Sequence, residues 1–228
     1  YGRILPPEVL AVPSRGVLNI HPSLLPKYRG SSPVITAILE GESVTGVTLM
    51  LMDEGMDTGN ILAQRRRAIP PYETAGELTR RLFHLGAELL VEVLPKWMAG
   101  AMTSVPQDGA MVTTTRLIVK EDGDMDWSLS ATVLERRLRA FQPWPGCYTH
   151  WEGKRLRILE GGPVVGGPPA IPFGQVVTLP KGNTYAVAVA TGEGLLGLRQ
   201  VQLEGRKVQA AEEFLRGHPM FTEARLPS

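Results

Sequence analysis

The 228-residue chain predicts an α/β domain followed by a small OB-like β-barrel domain, and three observations carry that prediction. Residues 46 to 52, Gly-Val-Thr-Leu-Met-Leu-Met, form a nearly continuous apolar run, the pattern of a strand buried in a parallel sheet. From Thr74 to Val93 apolar residues recur at helical spacing behind a capping-box start. Beyond Gly146, short β-rich runs alternate with glycine and proline, as in small barrels.

In chain order, Gly16 to His21 reads as a short strand. Its side chains alternate, so Asn19 and His21 share one face while Leu18 and Ile20 share the other. Pro22 and Pro26 cannot continue a central strand, which leaves the imidazole at the carboxyl end, where open α/β sheets bind ligands. Ser32-Pro33 starts a short helix with Val34, Ile35, Ile38 and Leu39 as its apolar face, stopped by Gly41. The apolar strand then delivers the chain to a loop from Asp53 to Gly59, and Ile61 to Ile69 forms the next strand. Its Arg65-Arg66-Arg67 run has two readings, an RNA-facing patch and a solvated edge.

Thr74-Ala75-Gly76-Glu77 caps a long helix that buries Leu78, Leu82, Leu85, Leu89, Leu90 and Val93 and carries His84 as a structural residue. Periodicity is lost between 101 and 120, the expected linker between domains 1–100 and 121–228. Ser130 caps a helix with Leu134, Leu138 and Phe141 inward and Arg136, Arg137 and Arg139 outward, before Pro143-Trp144-Pro145-Gly146 stops it. Five strands are predicted after it, at 147–151, 155–159, 175–179, 185–190 and 195–203.

Composition narrows the class. A 43% hydrophobic content can supply real cores. No apolar run approaches the roughly 18 residues needed to span a bilayer, and no signal-like segment opens the chain. Cys147 is the sole cysteine, so neither an intrachain disulfide nor a cysteine-based zinc cluster can form. Residues 1 to 115 hold ten Lys+Arg against eleven Asp+Glu, and residues 116 to 228 hold fourteen against twelve. Neither half is the strongly basic domain of a dedicated nucleic-acid binder, so any RNA contact must come from local clusters. The candidates are Arg136, Arg137, Arg139, Lys154, Arg155, Arg157, Arg206 and Lys207. No Gly-x-x-x-x-Gly-Lys-Ser/Thr phosphate-binding loop occurs, so nothing supports an ATP site.

The chemistry concentrates in Asn19-Ile20-His21-Pro22-Ser23-Leu24-Leu25-Pro26-Lys27-Tyr28-Arg29-Gly30 and in Asp57 of the later acidic loop. An amide, an imidazole and a carboxylate at strand ends suit the transfer of a one-carbon acyl group to an amine. Such an attack creates an oxyanion that an asparagine can stabilise, and its protons need a shuttle titrating near neutrality. Asp53 competes with Asp57 as the carboxylate.

These residues resemble the signature of the formyltransferases that use 10-formyltetrahydrofolate: an Asn-x-His strand, a Ser-Leu-Leu-Pro loop and a distant aspartate in an Asp-x-Gly turn. The resemblance implies a Rossmann-like catalytic domain in which Asn19 bonds the formyl oxygen, His21 assists proton transfer and Asp57 orients or electrostatically supports His21. Folate contacts are implied at Ser23, Leu24, Leu25, Pro26 and Asp53, the last shaping the turn. The opening Tyr1-Gly2-Arg3-Ile4-Leu5-Pro6 is similar to the family segment whose backbone meets the pteridine ring, which makes Arg3, Ile4 and Leu5 candidates; packing under the sheet is the alternative for Ile4 and Leu5. The family also implies a further half-domain ahead of Tyr1.

The block from Asp126-Trp127-Ser128-Leu129-Ser130 to Pro143-Trp144-Pro145-Gly146 resembles the start of the carboxyl-terminal domain of the methionyl-tRNA formyltransferases. It implies initiator methionyl-tRNA as acceptor, folate as the other partner, no metal, a monomer and a cytoplasmic site, organellar if the source is eukaryotic. Three rivals are a 10-formyltetrahydrofolate hydrolase, an amino-sugar N-formyltransferase and a tRNA-binding module without activity.

Overall fold

The computed structural model describes residues 5–164 and 171–228 and divides the chain into two compact units, Tyr1–Ile118 and Val119–Ser228. Arg3 and Ile4, candidates for the pteridine contact, lie outside the described residues.

In the first unit, helix α1 (Pro7–Leu10) precedes strand β1 (Leu18–His21), strand β2 (Arg29–Gly30), helix α2 (Pro33–Leu39), strand β3 (Val44–Leu51), strand β4 (Ile61–Ala68), helix α3 (Ala75–Met98) and strand β5 (Thr114–Thr115). The main sheet has the order β1-β3-β4. Both pairings are antiparallel, with Leu18 opposite Leu51 and His21 opposite Thr48, which corrects the parallel reading of residues 46 to 52. The seven-residue α2 is only about 10 Å long, so it does not carry the chain back along the sheet, and β3 starts at the end where β1 stopped. The apolar run has another cause: Thr45 to Met50 are all buried, because α3 lies on one face of the sheet and the loop after His21 on the other. Burial on both faces, not strand direction, removes the polar alternation.

The long helix starts as its sequence requires. Thr74 accepts from the Glu77 backbone N–H and the Glu77 carboxylate reaches back, a capping box. Leu78, Leu82, Leu89 and Val93 are buried, while Leu85 and Leu90 sit at the margin of the stripe. His84 is exposed and pairs with Glu88 one turn on. Arg65 reaches Glu88 and Glu92, and Arg67 reaches Glu73, so two of the three adjacent arginines are held within this unit. The aperiodic stretch expected as a linker behaves differently from a free tether: Val105 bridges Ile61, and β5 pairs in parallel with β2. Hydrogen bonds to distant segments, invisible as periodicity, hold it.

The second unit contains α4 (Ala131–Ala140), β6 (Cys147–Trp151), β7 (Lys154–Val164), β8 (Val176–Thr178), β9 (Val187–Ala190), β10 (Leu195–Leu203), β11 (Gln209–Ala210) and α5 (Ala211–Gly217). The strands form one curled antiparallel sheet in the order β6-β7-β10-β9-β8, with β11 on β10, an OB-like half-barrel. Ser130 accepts from the Val133 N–H at the start of α4, whose Leu134 and Leu138 are buried with Phe141. Trp151, Phe214 and Phe221 meet edge to face beneath α5. Among the described residues no helix is long and apolar enough to cross a membrane.

Candidate active site

The site begins with the pleat of β1. Ile20 faces α3, where the Cβ position of Gly86 lies 2.4 Å from its Cγ2, so Asn19 and His21 project from the opposite face. Cross-strand partners share a face, which places Thr48 beside His21 and Gln64 beyond it. The chain then folds over that face. The Thr48 hydroxyl donates to the Ser23 carbonyl at 2.7 Å and accepts from the Leu25 N–H at 3.0 Å, while the Gln64 amide donates to the Leu25 carbonyl at 2.7 Å and to Thr48 Oγ1 at 2.9 Å. A side chain at Gly46 would meet Arg65 O at 2.3 Å and Leu24 Cδ2 at 2.5 Å, so the missing Cβ lets the loop lie against β3.

His21 is 4% exposed. Its Nε2 is 2.9 Å from the Tyr28 carbonyl and its Nδ1 is 3.5 Å from Asp57 Oδ1. A carbonyl only accepts, so Nε2 carries a hydrogen in this geometry and Nδ1 is the nitrogen facing the carboxylate. The other Asp57 oxygen, Oδ2, accepts from the Gly30 N–H at 2.8 Å. The Asn19 side chain has no hydrogen-bond partner among the described residues, which leaves its amide free for a ligand. Three side chains separated in sequence thus converge at the end of β1.

The remaining expected residues divide by orientation. Ser23 is fully buried and its hydroxyl donates to the Lys27 carbonyl at 2.6 Å, while Leu25 is in the core. Leu24, Pro26 and Leu5 are half-buried. Asp53 Oδ1 accepts from the Gly55 N–H at 3.1 Å and the Thr58 hydroxyl at 2.6 Å, which shapes the turn that presents Asp57. The Tyr28 hydroxyl donates to Glu42 at 2.7 Å, and Lys27 approaches the same oxygen at 3.3 Å. That hydroxyl bond, with Lys27, holds Glu42 below the usual carboxylate range, and burial together with Glu42 pushes the Tyr28 phenol up. The pairing fixes the turn whose carbonyl holds His21.

The expected RNA-contacting cations in the second unit are not equivalent. Arg137 donates to the Asp124 carbonyl at 3.1 Å, also reaches that of Asp122, and lies over Phe141, while Arg139 pairs with Glu135. Arg155 lies 4.4 Å above the Tyr148 ring, and Arg157 donates to Gln202 at 3.0 Å. Lys154, Arg206 and Lys207 are exposed, and Arg136 is half-exposed. These last four are the least constrained.

Sequence reasoning missed Thr48, Gln64, Gln107, Thr113 and Thr115. Thr48 left a trace as the one polar residue inside the apolar run. The other four left none, since their importance comes from partners far along the chain.

A formyl transferase profile matches residues 1–94, and a formyl transferase carboxyl-terminal domain profile matches residues 117–219. The chain is 47% identical over 217 residues to a methionyl-tRNA formyltransferase of Chloroflexus aurantiacus, covering 95% of this chain and 69% of that protein. The chain belongs to the methionyl-tRNA formyltransferase family. A member from Myxococcus xanthus is 44% identical over 220 residues, covering 96% of this chain and 69% of that protein. The fold is also similar to the crystal structure of HypX from Aquifex aeolicus in complex with tetrahydrofolic acid, with TM-score 0.63 and 22% identity over 90% of this chain and 35% of HypX. For this formyltransferase, the two profiles leave residues 95–116 unmatched, the stretch that supplies Gln107, Thr113 and Thr115.

Proposed function

We propose that the Asn19, His21 and Asp57 constellation transfers the formyl group of 10-formyltetrahydrofolate to the α-amino group of initiator methionyl-tRNA, giving N-formylmethionyl-tRNA for translation initiation. One observation carries the role of the site: His21 Nδ1 lies 3.5 Å from Asp57 Oδ1 on the face that also bears the amide of Asn19. The folate donor supplies an electrophilic formyl carbon bound to its N10. Asn19 offers an N–H to the formyl oxygen, where negative charge gathers as the amine attacks. His21 takes up the proton that the amine loses, and Asp57 stabilises the resulting imidazolium while the Tyr28 carbonyl holds the ring from the other side. The same proton is then in place for N10 as its bond to the formyl carbon breaks. The half-buried Leu24, Pro26 and Leu5 offer the apolar lining for a pteridine, and Ser23, Leu25 and Asp53 act by holding the loops in shape.

The second unit is assigned to the tRNA. Lys154, Arg206, Lys207 and Arg136 are the primary phosphate contacts, with Arg155 and Arg157 beside the aromatic Tyr148. The enzyme is read as a monomer working in the cytoplasm, or in an organelle if the source is eukaryotic.

Labelled 10-formyltetrahydrofolate offered with methionyl-tRNA, with water alone and with an amino-sugar nucleotide separates the possible acceptors. Label is expected on the tRNA amine only. His21→Ala and Asn19→Ala are each expected to lower that transfer by about two or more orders of magnitude with tRNA binding retained. Label released as formate, or carried by the sugar, would overturn the choice of acceptor, and near wild-type turnover in either variant would remove the residue's role.

A further inference from the structure

We propose that Gln107 is a positioning residue for the reaction: its single amide clamps the turn that presents Asp57 to the segment that receives the Asp57 carboxylate. The inference rests on the assignment of Asp57 as the partner of His21.

Asp57 has φ +55°, a left-handed conformation that side chains other than glycine adopt only when held. What holds it is distant in sequence. Gln107 Nε2 donates to the Asp57 carbonyl at 2.8 Å and to the Gly59 carbonyl at 2.8 Å, so one NH2 group gathers both ends of the turn. Gln107 Oε1 accepts from Arg29 Nε at 3.0 Å and from Arg29 Nη2 at 2.7 Å. The amide therefore uses two donors and two acceptor sites. Its orientation is unambiguous, because a guanidinium only donates and backbone carbonyls only accept.

The two clamped segments are the ones that must agree for the site to form. Arg29 is followed by Gly30, whose N–H binds Asp57 Oδ2, and preceded by Tyr28, whose carbonyl binds His21. The same segment is fastened from its other side by the strand that follows Gln107. The Thr113 carbonyl accepts from the Arg29 N–H at 2.9 Å, Thr113 Oγ1 accepts from the Tyr28 N–H at 2.8 Å, and Thr115 Oγ1 donates to the Arg29 carbonyl at 3.1 Å. A shift of the 57–59 turn relative to residues 28–30 lengthens the gap between Asp57 and His21 directly, and Gln107 is the side chain that spans both.

Gln107→Glu tests the clamp. It keeps the size of the side chain and an oxygen for Arg29, but turns an oxygen toward the two carbonyls in place of the NH2 group. The expected result is a fall in kcat of roughly 10- to 100-fold with KM for methionyl-tRNA and for 10-formyltetrahydrofolate changed less than about threefold, since an interaction acting on the chemical step is lost. If Gln107 acts through Asp57, the double variant Gln107→Glu/Asp57→Asn will be no slower than Asp57→Asn alone. Gln107→Ala, which leaves room for water at the carbonyls, is read in the same cycle and decides the matter if the Glu variant fails to fold. Wild-type kcat in the Gln107 variants beside a slow Asp57→Asn enzyme, or losses that add in the double variant, would overturn the clamp alone. Wild-type turnover in Asp57→Asn would instead overturn the assignment of Asp57.

Discussion

Replacing Thr48 by valine keeps the shape of a fully buried side chain and removes only its hydroxyl. That oxygen is the partner of the Leu25 N–H and the Ser23 carbonyl, both in the loop folded over His21. The Gln64 amide retains the Leu25 carbonyl when Thr48 Oγ1 is lost, so two buried backbone groups are stranded. At about 1–3 kcal/mol for each unsatisfied buried group, Thr48→Val should cost roughly 2–6 kcal/mol. For a unit of this size that corresponds to about 8–24 °C in melting temperature. Thr48→Ser keeps the hydroxyl and gives up one buried methyl, a loss of about 1 kcal/mol. The assay is thermal unfolding of both variants, followed by formyl transfer measured below their transitions, where Val is expected to lose activity and Ser to keep most of it. Equal destabilisation by Val and Ser, or a Val variant as stable as wild type, would refute the claim that this hydroxyl holds the loop over His21.

Gly86→Ala should destabilise despite improving helix propensity by about 1 kcal/mol. Its new Cβ would lie 2.4 Å from Ile20 Cγ2, on a β-branched side chain with little rotamer freedom, and overpacking of this kind costs about 1–3 kcal/mol. A lowered melting temperature and several-fold slower transfer are expected, because Ile20 sits between Asn19 and His21; a raised melting temperature would count against the packing argument. Cys147 is 3% exposed, and burial pushes its thiol from 9.0 up to about 12. It should resist a thiol reagent at pH 8 until the second unit unfolds, and stoichiometric labelling of the native protein would contradict its burial. The sign follows from the raised value: its contribution to stability is full below about pH 9 and is lost as pH rises toward 12.

Much of the site was legible because it obeys short-range rules. The period of two in a strand put Asn19 and His21 on one face before any fold was known, and prolines 22 and 26 marked where the strand must end. Thr74 with Glu77, and Ser130 before its helix, are local hydrogen-bond patterns and were readable for the same reason. The direction of β3 was not readable, because an apolar run reports burial on two faces and carries no information about which way its neighbour runs. Nor was the role of residues 101–118, whose bonds connect Gln107 to Arg29 across 78 residues and to Asp57 across 50.

By itself, then, the sequence determined that Asn19 and His21 stand on one strand face, and the family through the motifs around them. Only the tertiary structure decided that Asp57 meets His21 Nδ1 while the Tyr28 carbonyl occupies Nε2, and that Thr48 and Gln107 hold those parts in place. Side-chain facing within a strand is set by covalent geometry over two or three residues. The distance between two loops is set by hydrogen bonds whose partners can lie anywhere in the chain, and no local pattern records them.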